Sequence, residues 1–321
     1  MARNVSSPPP PSSVIQSIPR PGWTQRLPES VWRWGWQSRT PLGWVYLVIW
    51  LFYIVSYPIA VTGVAFDVHP GFSMAWAGSI LLFVQGILAI IALLIALGLR
   101  RGGALALLIA LGGYAGEALG VATGFPFGPY GYAHILFPQL PGSVPLPVVA
   151  AWLLVVVTAT VVARWWFPDR YGADLWRIRL RQIALATLFG AGLDLVLEPV
   201  AVHVQYYWVW FATGPYYGIP TTNFIGWAVL CALLAAALVC VWPLPPRPAK
   251  VPSRSRRKKI VPPRTMPPVW SIVPAPVWLY AMTVLMFGII DLTHGLVVAS
   301  LIGGGILVAL ALRWRATYHI Q

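Results

Sequence analysis

Apolar runs of bilayer length alternate with short polar, basic or Pro/Gly-rich stretches along nearly the whole chain. A hydrocarbon core of ~30 Å needs about 20 apolar helical residues per crossing. Runs of that kind fall at 42–64, 74–99, 103–123, 146–166, 182–203, 222–243, 273–291 and 294–313. The last two form one apolar stretch too long for a single crossing, and the polar DLTHG (291–295) divides it. The pattern predicts an all-α fold: a polytopic transmembrane helix bundle of about eight spans.

The basic residues fix the orientation. Arg3, Arg20, Arg26, Arg33 and Arg39 precede the first span, and Arg100 and Arg101 separate the second from the third. Arg164, Arg170, Arg177, Arg179 and Arg181 lie between the fourth and fifth, a cluster from Arg247 to Arg264 lies between the sixth and seventh, and Arg313 and Arg315 follow the eighth. Together these are all 22 Lys and Arg. The positive-inside rule puts every group on the cytoplasmic side, with both termini inside; a seven-span reading strands Arg313 and Arg315 outside. The expected organisation is a Pro/Arg-rich N-terminal segment (1–41), disordered or interfacial, a six-span catalytic core (42–243), a basic cytoplasmic linker (244–271) and a C-terminal helical hairpin (272–321).

Composition agrees: 58% hydrophobic, 9% charged and a mean hydropathy of +0.73 describe a multi-pass membrane protein, expected in the plasma membrane. The formal charge of +14 is a topology signal that also favours anionic membrane lipids. No nucleic-acid-binding pattern accompanies the basic linker. No apolar stretch precedes residue 42, so no cleavable signal peptide is expected. Cys231 and Cys240 share one apolar span and form neither a disulfide framework nor a metal motif. No metal is expected: no histidine spacing supports one, and His203 and the other histidines read as loop residues.

Among so few charges, three carboxylates inside apolar segments stand out. Glu117 sits in ALALLIALGGYAGEALGVATG, and Asp194 and Glu198 sit in IALATLFGAGLDLVLEPVAVHV. An ionisable group at membrane depth must be protonated, paired or facing a cavity, which makes it a candidate for function. At ~1.5 Å per residue all three lie about 18–24 Å from the cytoplasmic ends of their spans, in the outer half at similar height. Asp194 and Glu198, four residues apart, project from one helix face. Two carboxyls that close cannot both ionise cheaply in low dielectric, so the pair is expected to keep a proton near neutral pH. Pro199 removes a backbone donor and frees a carbonyl near Asp194–Leu195.

The loops opposite the basic side contain no Lys or Arg but are rich in Gly, Pro and aromatics, as in FGPYGY (127–132) and GPYYGIP (214–220). Irregular backbone at the membrane surface is tolerated where it is buried in protein or lines a cavity. Tyr130, Tyr132, Trp208, Trp210, Tyr216 and Tyr217 are therefore candidate substrate-binding residues. Asn223 is a further candidate, although its place at a helix start suits capping equally. Asp67 and Asp291 read as structural.

At these positions the sequence resembles a known family. The pattern ExxGxxTGxPFGxYxY (117–132), VPLP (144–147) with Trp152, DxxxEP (194–199), WxW (208–210) and GxYYGIPxxNFxGW (214–227) is similar to the membrane carotenoid-biosynthesis proteins. These include carotenoid 1′,2′-hydratases and bisanhydrobacterioruberin hydratases. The resemblance covers about 115–230. It implies cofactor-free hydration of the terminal 1′,2′ double bond of an acyclic ψ-end to a tertiary alcohol, as a hydro-lyase. The residues suit that chemistry: a carboxylic acid protonates the alkene, aromatic faces tolerate the cation, and a second carboxylate orients water. Asp194 or Glu198 is expected as the acid, with Glu117 on the water. The expected partners are a hydrophobic carotenoid from the bilayer, membrane lipids and other enzymes of the same pathway.

Two readings compete. A carotenoid cyclase uses the same protonation and quenches the cation with a double bond. A proton-coupled transporter or lipid-binding membrane protein also places carboxylates in its spans, but at the midplane and usually with inverted repeats; here they gather in the outer half.

Overall fold

The computed structural model describes residues 40–68, 71, 74–169, 174–243 and 273–318. The N-terminal segment before Thr40, His69, Arg170 and the whole basic linker (244–271) lie outside the described residues. Seven helices are long and apolar enough to cross a membrane. One of them, Ala75–Thr123, has 49 residues. As a straight helix it would run ~74 Å, more than twice the hydrocarbon thickness.

It does not run straight. Gly98 adopts φ 77° and ψ 166°, a conformation open in practice only to glycine. The chain then folds back, so that a Cβ on Gly102 would lie 2.6 Å from the Leu93 carbonyl oxygen. The polypeptide therefore crosses eight times: α1 (Pro41–Ala65), α2 (75–97), α3 (99–123), α4 (Leu146–Trp166), α5 (Leu175–His203), α6 (Thr221–Val241), α7 (Ala275–Thr293) and α8 (Val297–Tyr318). Leu99, Arg100 and Arg101 form the exposed tip of the α2–α3 turn.

Two of the starts carry a side-chain cap. Thr40 Oγ1 accepts from Gly43 N (3.1 Å) ahead of Pro41 in α1, and Asp174 Oδ1 accepts from Arg177 N (3.3 Å) ahead of α5, both as N-caps. Helix α5 starts seven residues earlier than its apolar run, because that cap carries the polar LWRIRLR (175–181) into helix outside the hydrocarbon.

Helix α4 is the axis of the bundle and is buried along nearly its whole length, packed against α3, α5, α6 and α7. Between helices in lipid there is little hydrophobic drive, so close contact depends on small residues. A Cβ on Gly86 would lie 2.8 Å from Ala150 Cβ, and one on Gly113 would lie 2.6 Å from the Trp152 ring. By contrast, α1 presents Tyr46, Trp50 and Tyr53 inward and leaves Trp44, Val48, Leu51 and Val55 exposed, as a helix apolar all round does in lipid.

The two ends of the bundle differ in chemistry. At the basic end Arg164, 1% exposed, pairs with Asp169 (2.7 Å), donates to Gln182 Oε1 (3.2 Å) and lies 4.5 Å from the Trp242 ring centre. Arg164 is thus a packed element of the helix end, whereas Arg177 is exposed. Arg313 of α8 reaches the same end and donates to the Trp165 carbonyl (3.0 Å). At the opposite end the loops form two short antiparallel pairs. Strand β1 (Tyr130–Tyr132) pairs with β4 (Trp208–Trp210), and β2 (Gln139–Leu140) pairs with β3 (Val144–Pro145). These ribbons are small additions to an all-α bundle.

This topology is testable by labelling. In a Cys240→Ser background, with Cys231 buried, Leu99→Cys and Tyr206→Cys should react with a membrane-impermeant maleimide from opposite sides of the membrane. Labelling of both from one side would break the eight-crossing arrangement.

Candidate functional site

Glu117, Asp194 and Glu198 are each at most 3% exposed. They sit near the non-basic ends of α3 and α5, under the β1–β4 ribbon. Register explains how the donors reach them. Pairing of Tyr130 with Trp210 and of Tyr132 with Trp208 puts residues i and i+2 of each strand on one face, and that face turns toward the carboxylates.

Glu117 Oε2 accepts from the Tyr130 hydroxyl (2.5 Å) and the Tyr132 hydroxyl (2.7 Å). Its Oε1 accepts from Trp152 Nε1 (2.8 Å). Burial and the neighbouring Glu117 charge push both phenols above their ordinary range, so they stay protonated and act as donors. Glu198 Oε2 accepts from Trp208 Nε1 (3.1 Å) and Trp210 Nε1 (3.4 Å).

Asn223, on the first turn of α6, donates through Nδ2 to both Asp194 Oδ2 (3.2 Å) and Glu198 Oε1 (3.1 Å). Pro220 is the N-cap of α6, so Asn223 is the bridge of the carboxyl pair and not a cap. Asp194 Oδ1 has no hydrogen-bond partner among the described residues.

The aromatic rings close around this core. The Tyr130 and Trp210 ring centres are 5.0 Å apart, and those of Tyr132 and Trp208 are 5.8 Å apart. Trp152 stacks on Trp227 at 4.2 Å. Trp152 and Trp227 belong to the site although neither was singled out as a binding residue; their places inside the VPLP-to-Trp152 and GW blocks were the available signal.

The remaining candidates divide. Tyr216 donates to the Leu195 carbonyl (2.6 Å), the acceptor that Pro199 leaves without its helical donor. Tyr217 stands apart from the carboxylates: its hydroxyl accepts from Val298 N (2.9 Å), and its carbonyl accepts from His203 Nε2 (2.8 Å). It ties the end of α5 to the start of α8.

With this geometry in view, comparison with known proteins is informative. The profile of the carotenoid biosynthesis protein family matches residues 77–310. The chain belongs to that family. Similarity also extends to a protein named bisanhydrobacterioruberin hydratase from Haloarcula japonica, 31% identical over 128 residues. That match covers 40% of this chain and 41% of the relative, so the chain spans less than half of the relative's length. No solved structure matches. The family match includes Glu117, Asp194 and Glu198 and every one of their donors.

Trp152→Phe in this family member keeps the ring stack and removes one donor from Glu117. It should lower stability by ~1–3 kcal/mol, the cost of a buried acceptor losing its partner, read as a lower thermal midpoint in detergent. Asn223→Leu, which strips donors from two carboxyls at once, should lower the midpoint further. A midpoint unchanged in both variants would contradict this network.

Proposed function

We propose that this protein hydrates the terminal 1′,2′ double bond of an acyclic carotenoid ψ-end, giving a tertiary alcohol. The observation that carries the reading is Asp194. It is a buried carboxyl, joined to Glu198 through one amide, with one oxygen that has no partner among the described residues. Membership of the carotenoid biosynthesis family and likeness to a protein named as a hydratase support it.

The chemistry follows from the donors and acceptors. The Asp194/Glu198 pair keeps one proton between its members, since two adjacent carboxylates in low dielectric repel strongly. Asp194 Oδ1, facing no protein donor, delivers that proton to the less substituted alkene carbon. The π electrons form the new C–H bond and leave a tertiary cation on the neighbouring carbon. Glu117 and Glu198 supply negative charge toward it, and the Tyr130, Tyr132, Trp208 and Trp210 faces add about 2 kcal/mol each when desolvated. This gives Glu117 an electrostatic role in place of the expected contact with water, because three donors already occupy it. Water then captures the cation and loses a proton. Addition of water leaves the oxidation level unchanged overall, so the reaction needs no redox cofactor.

A carotenoid is about as long as the bilayer is thick, so the substrate lies in the membrane, taken here to be the plasma membrane, and enters from the side. Exposed Phe125, Val209 and Phe211 flank the ribbon where a ψ-end would pass. The enzymes that make or consume the pigment are the natural neighbours in that membrane.

Expression in bacteria that accumulate lycopene or γ-carotene should yield a product heavier by one water. Asp194→Asn and Glu198→Gln should each lower its amount by at least ~100-fold, measured by mass spectrometry against equal membrane-inserted protein. A product of unchanged mass with a new ring would instead identify a cyclase. Untouched pigment would remove the hydratase reading.

A further inference from the structure

Helix α4 ends on three consecutive aromatics, Trp165, Trp166 and Phe167, and arginines from two other helices meet them. Arg313 of α8 donates to the Trp165 carbonyl (3.0 Å), and its guanidinium lies 5.8 Å from the Trp165 ring centre and 6.0 Å from that of Trp166. The Arg181 guanidinium of α5 lies 6.0 Å from the Phe167 ring centre. At that range a ring face attracts a cation, so one aromatic floor carries both arginines.

Helical periodicity places the two on opposite walls of one groove. A Cβ on Gly192 of α5 would lie 3.2 Å from Ile306 of α8, so the helices face each other there. Arg181, Leu185 and Leu188 follow Gly192 along one line of α5 toward the basic end, and Arg313 lies about two turns beyond Ile306 on α8. Leu188 borders the contact and is nevertheless exposed, which leaves that side of the groove open to lipid.

Charge in the groove is unbalanced. The two described carboxylates of this end are engaged elsewhere: Asp169 with Arg164 (2.7 Å) and Gln182 (3.0 Å), and Asp174 with Arg177 (3.1 Å). The Trp165 indole N–H, on a residue 4% exposed, has no hydrogen-bond partner among the described residues. The groove thus presents cations, ring faces and a buried donor, without a described carboxylate.

A membrane supplies one group that matches this chemistry at the end of a span, the phosphodiester of a lipid. Arginine pairs with phosphate through its fork of N–H donors, and basic pockets between spans on the cytoplasmic side take anionic headgroups. We propose that the α5–α8 groove binds an anionic phospholipid at the basic end, its phosphate between Arg181 and Arg313 and an acyl chain along Leu185 and Leu188. A zwitterionic lipid brings an ammonium group that meets no described carboxylate there, so the site selects for net negative charge. It lies at the opposite end of the bundle from Glu117, Asp194 and Glu198 and stands apart from the hydration reading.

Native mass spectrometry reads the selectivity directly. The full-length protein is equilibrated in detergent with equal amounts of phosphatidylglycerol and phosphatidylcholine, and the retained molecules of each are counted. The wild type should retain phosphatidylglycerol in preference. Arg181→Gln should lower that preference about 5-fold, and Arg181→Gln/Arg313→Gln about 25-fold. Arg181 is exposed, so the single variant decides the matter if loss of the Arg313 bond to Trp165 prevents folding. Arg100→Gln/Arg101→Gln, at the α2–α3 tip, should leave the preference unchanged. Equal retention of the two lipids by the wild type would overturn the proposal, as would a preference that survives in the folded Arg181 variants. So would an equal fall in Arg100→Gln/Arg101→Gln, which would make the preference a property of the basic surface at large.

Discussion

A carboxylate inside a bilayer must be given hydrogen-bond donors, and that single requirement organises the outer half of this protein. A transmembrane helix cannot supply them from its own backbone, because every interior N–H is already used. The donors have to come from side chains brought over the helix ends. Here they are two tyrosines and three indoles carried on the β1–β4 ribbon and on α4, plus one amide at the start of α6. The loops between spans are therefore built as a rigid lid of paired backbone, with Phe211 N on the Pro129 carbonyl and Ala133 N on the Tyr207 carbonyl (both 2.9 Å) extending the ribbon. Donor satisfaction fixes the lid.

The same logic explains the asymmetry of the bundle. At the basic end the buried charge is Arg164, and its guanidinium NH groups are held locally, by Asp169 and Gln182, beside the Trp242 ring. That cluster closes the inner end around α4, Asp169 and α5 with charged groups matched to one another. The outer end carries negative charge without matching cations, and neutral donors hold it instead. In the proposed hydration, an ion pair there would neutralise the field that a developing cation needs. Indole and phenol donors satisfy the carboxylates while leaving their net charge in place, and present π-faces as well.

Much of this was legible in the sequence, and the exceptions have physical causes. Eight spans follow from run length and from where the arginines fall. Gly98 and Gly102 set the tightness of the α2–α3 turn, which hydropathy leaves open. The polar start of α5 was missed because a capped helix continues past the hydrocarbon wherever its side chains can be solvated. Glu117, Asp194 and Glu198 announced themselves by being charged in apolar runs. Their partners did not: the β1–β4 pairing joins residues about 80 apart in sequence, through strands of three residues, too short for any period-two signal. Asn223 read as either a substrate contact or a helix cap because it opens α6, and only the tertiary placement of α5 beside it turns the side chain into a bridge. Pro199 was the best local clue, since a proline in a helix frees one known carbonyl, and Tyr216 is what takes it.

In the sequence Asp291 read as structural, although its place near the outer end of its span also let it join the other carboxylates. A turn aspartate normally caps a backbone N–H or meets water at the surface, yet this one is fully buried and uses only its backbone carbonyl in the turn. A structural carboxyl would have acquired donors, as Glu117 and Glu198 have, since an unsatisfied buried acceptor is a standing penalty. Three carboxyl oxygens, on two helices that pack together, are thus without a hydrogen-bond partner among the described residues. Of these four acids, Glu117 and Glu198 are held by donors on both oxygens, Asp194 on one, and Asp291 on neither among the described residues.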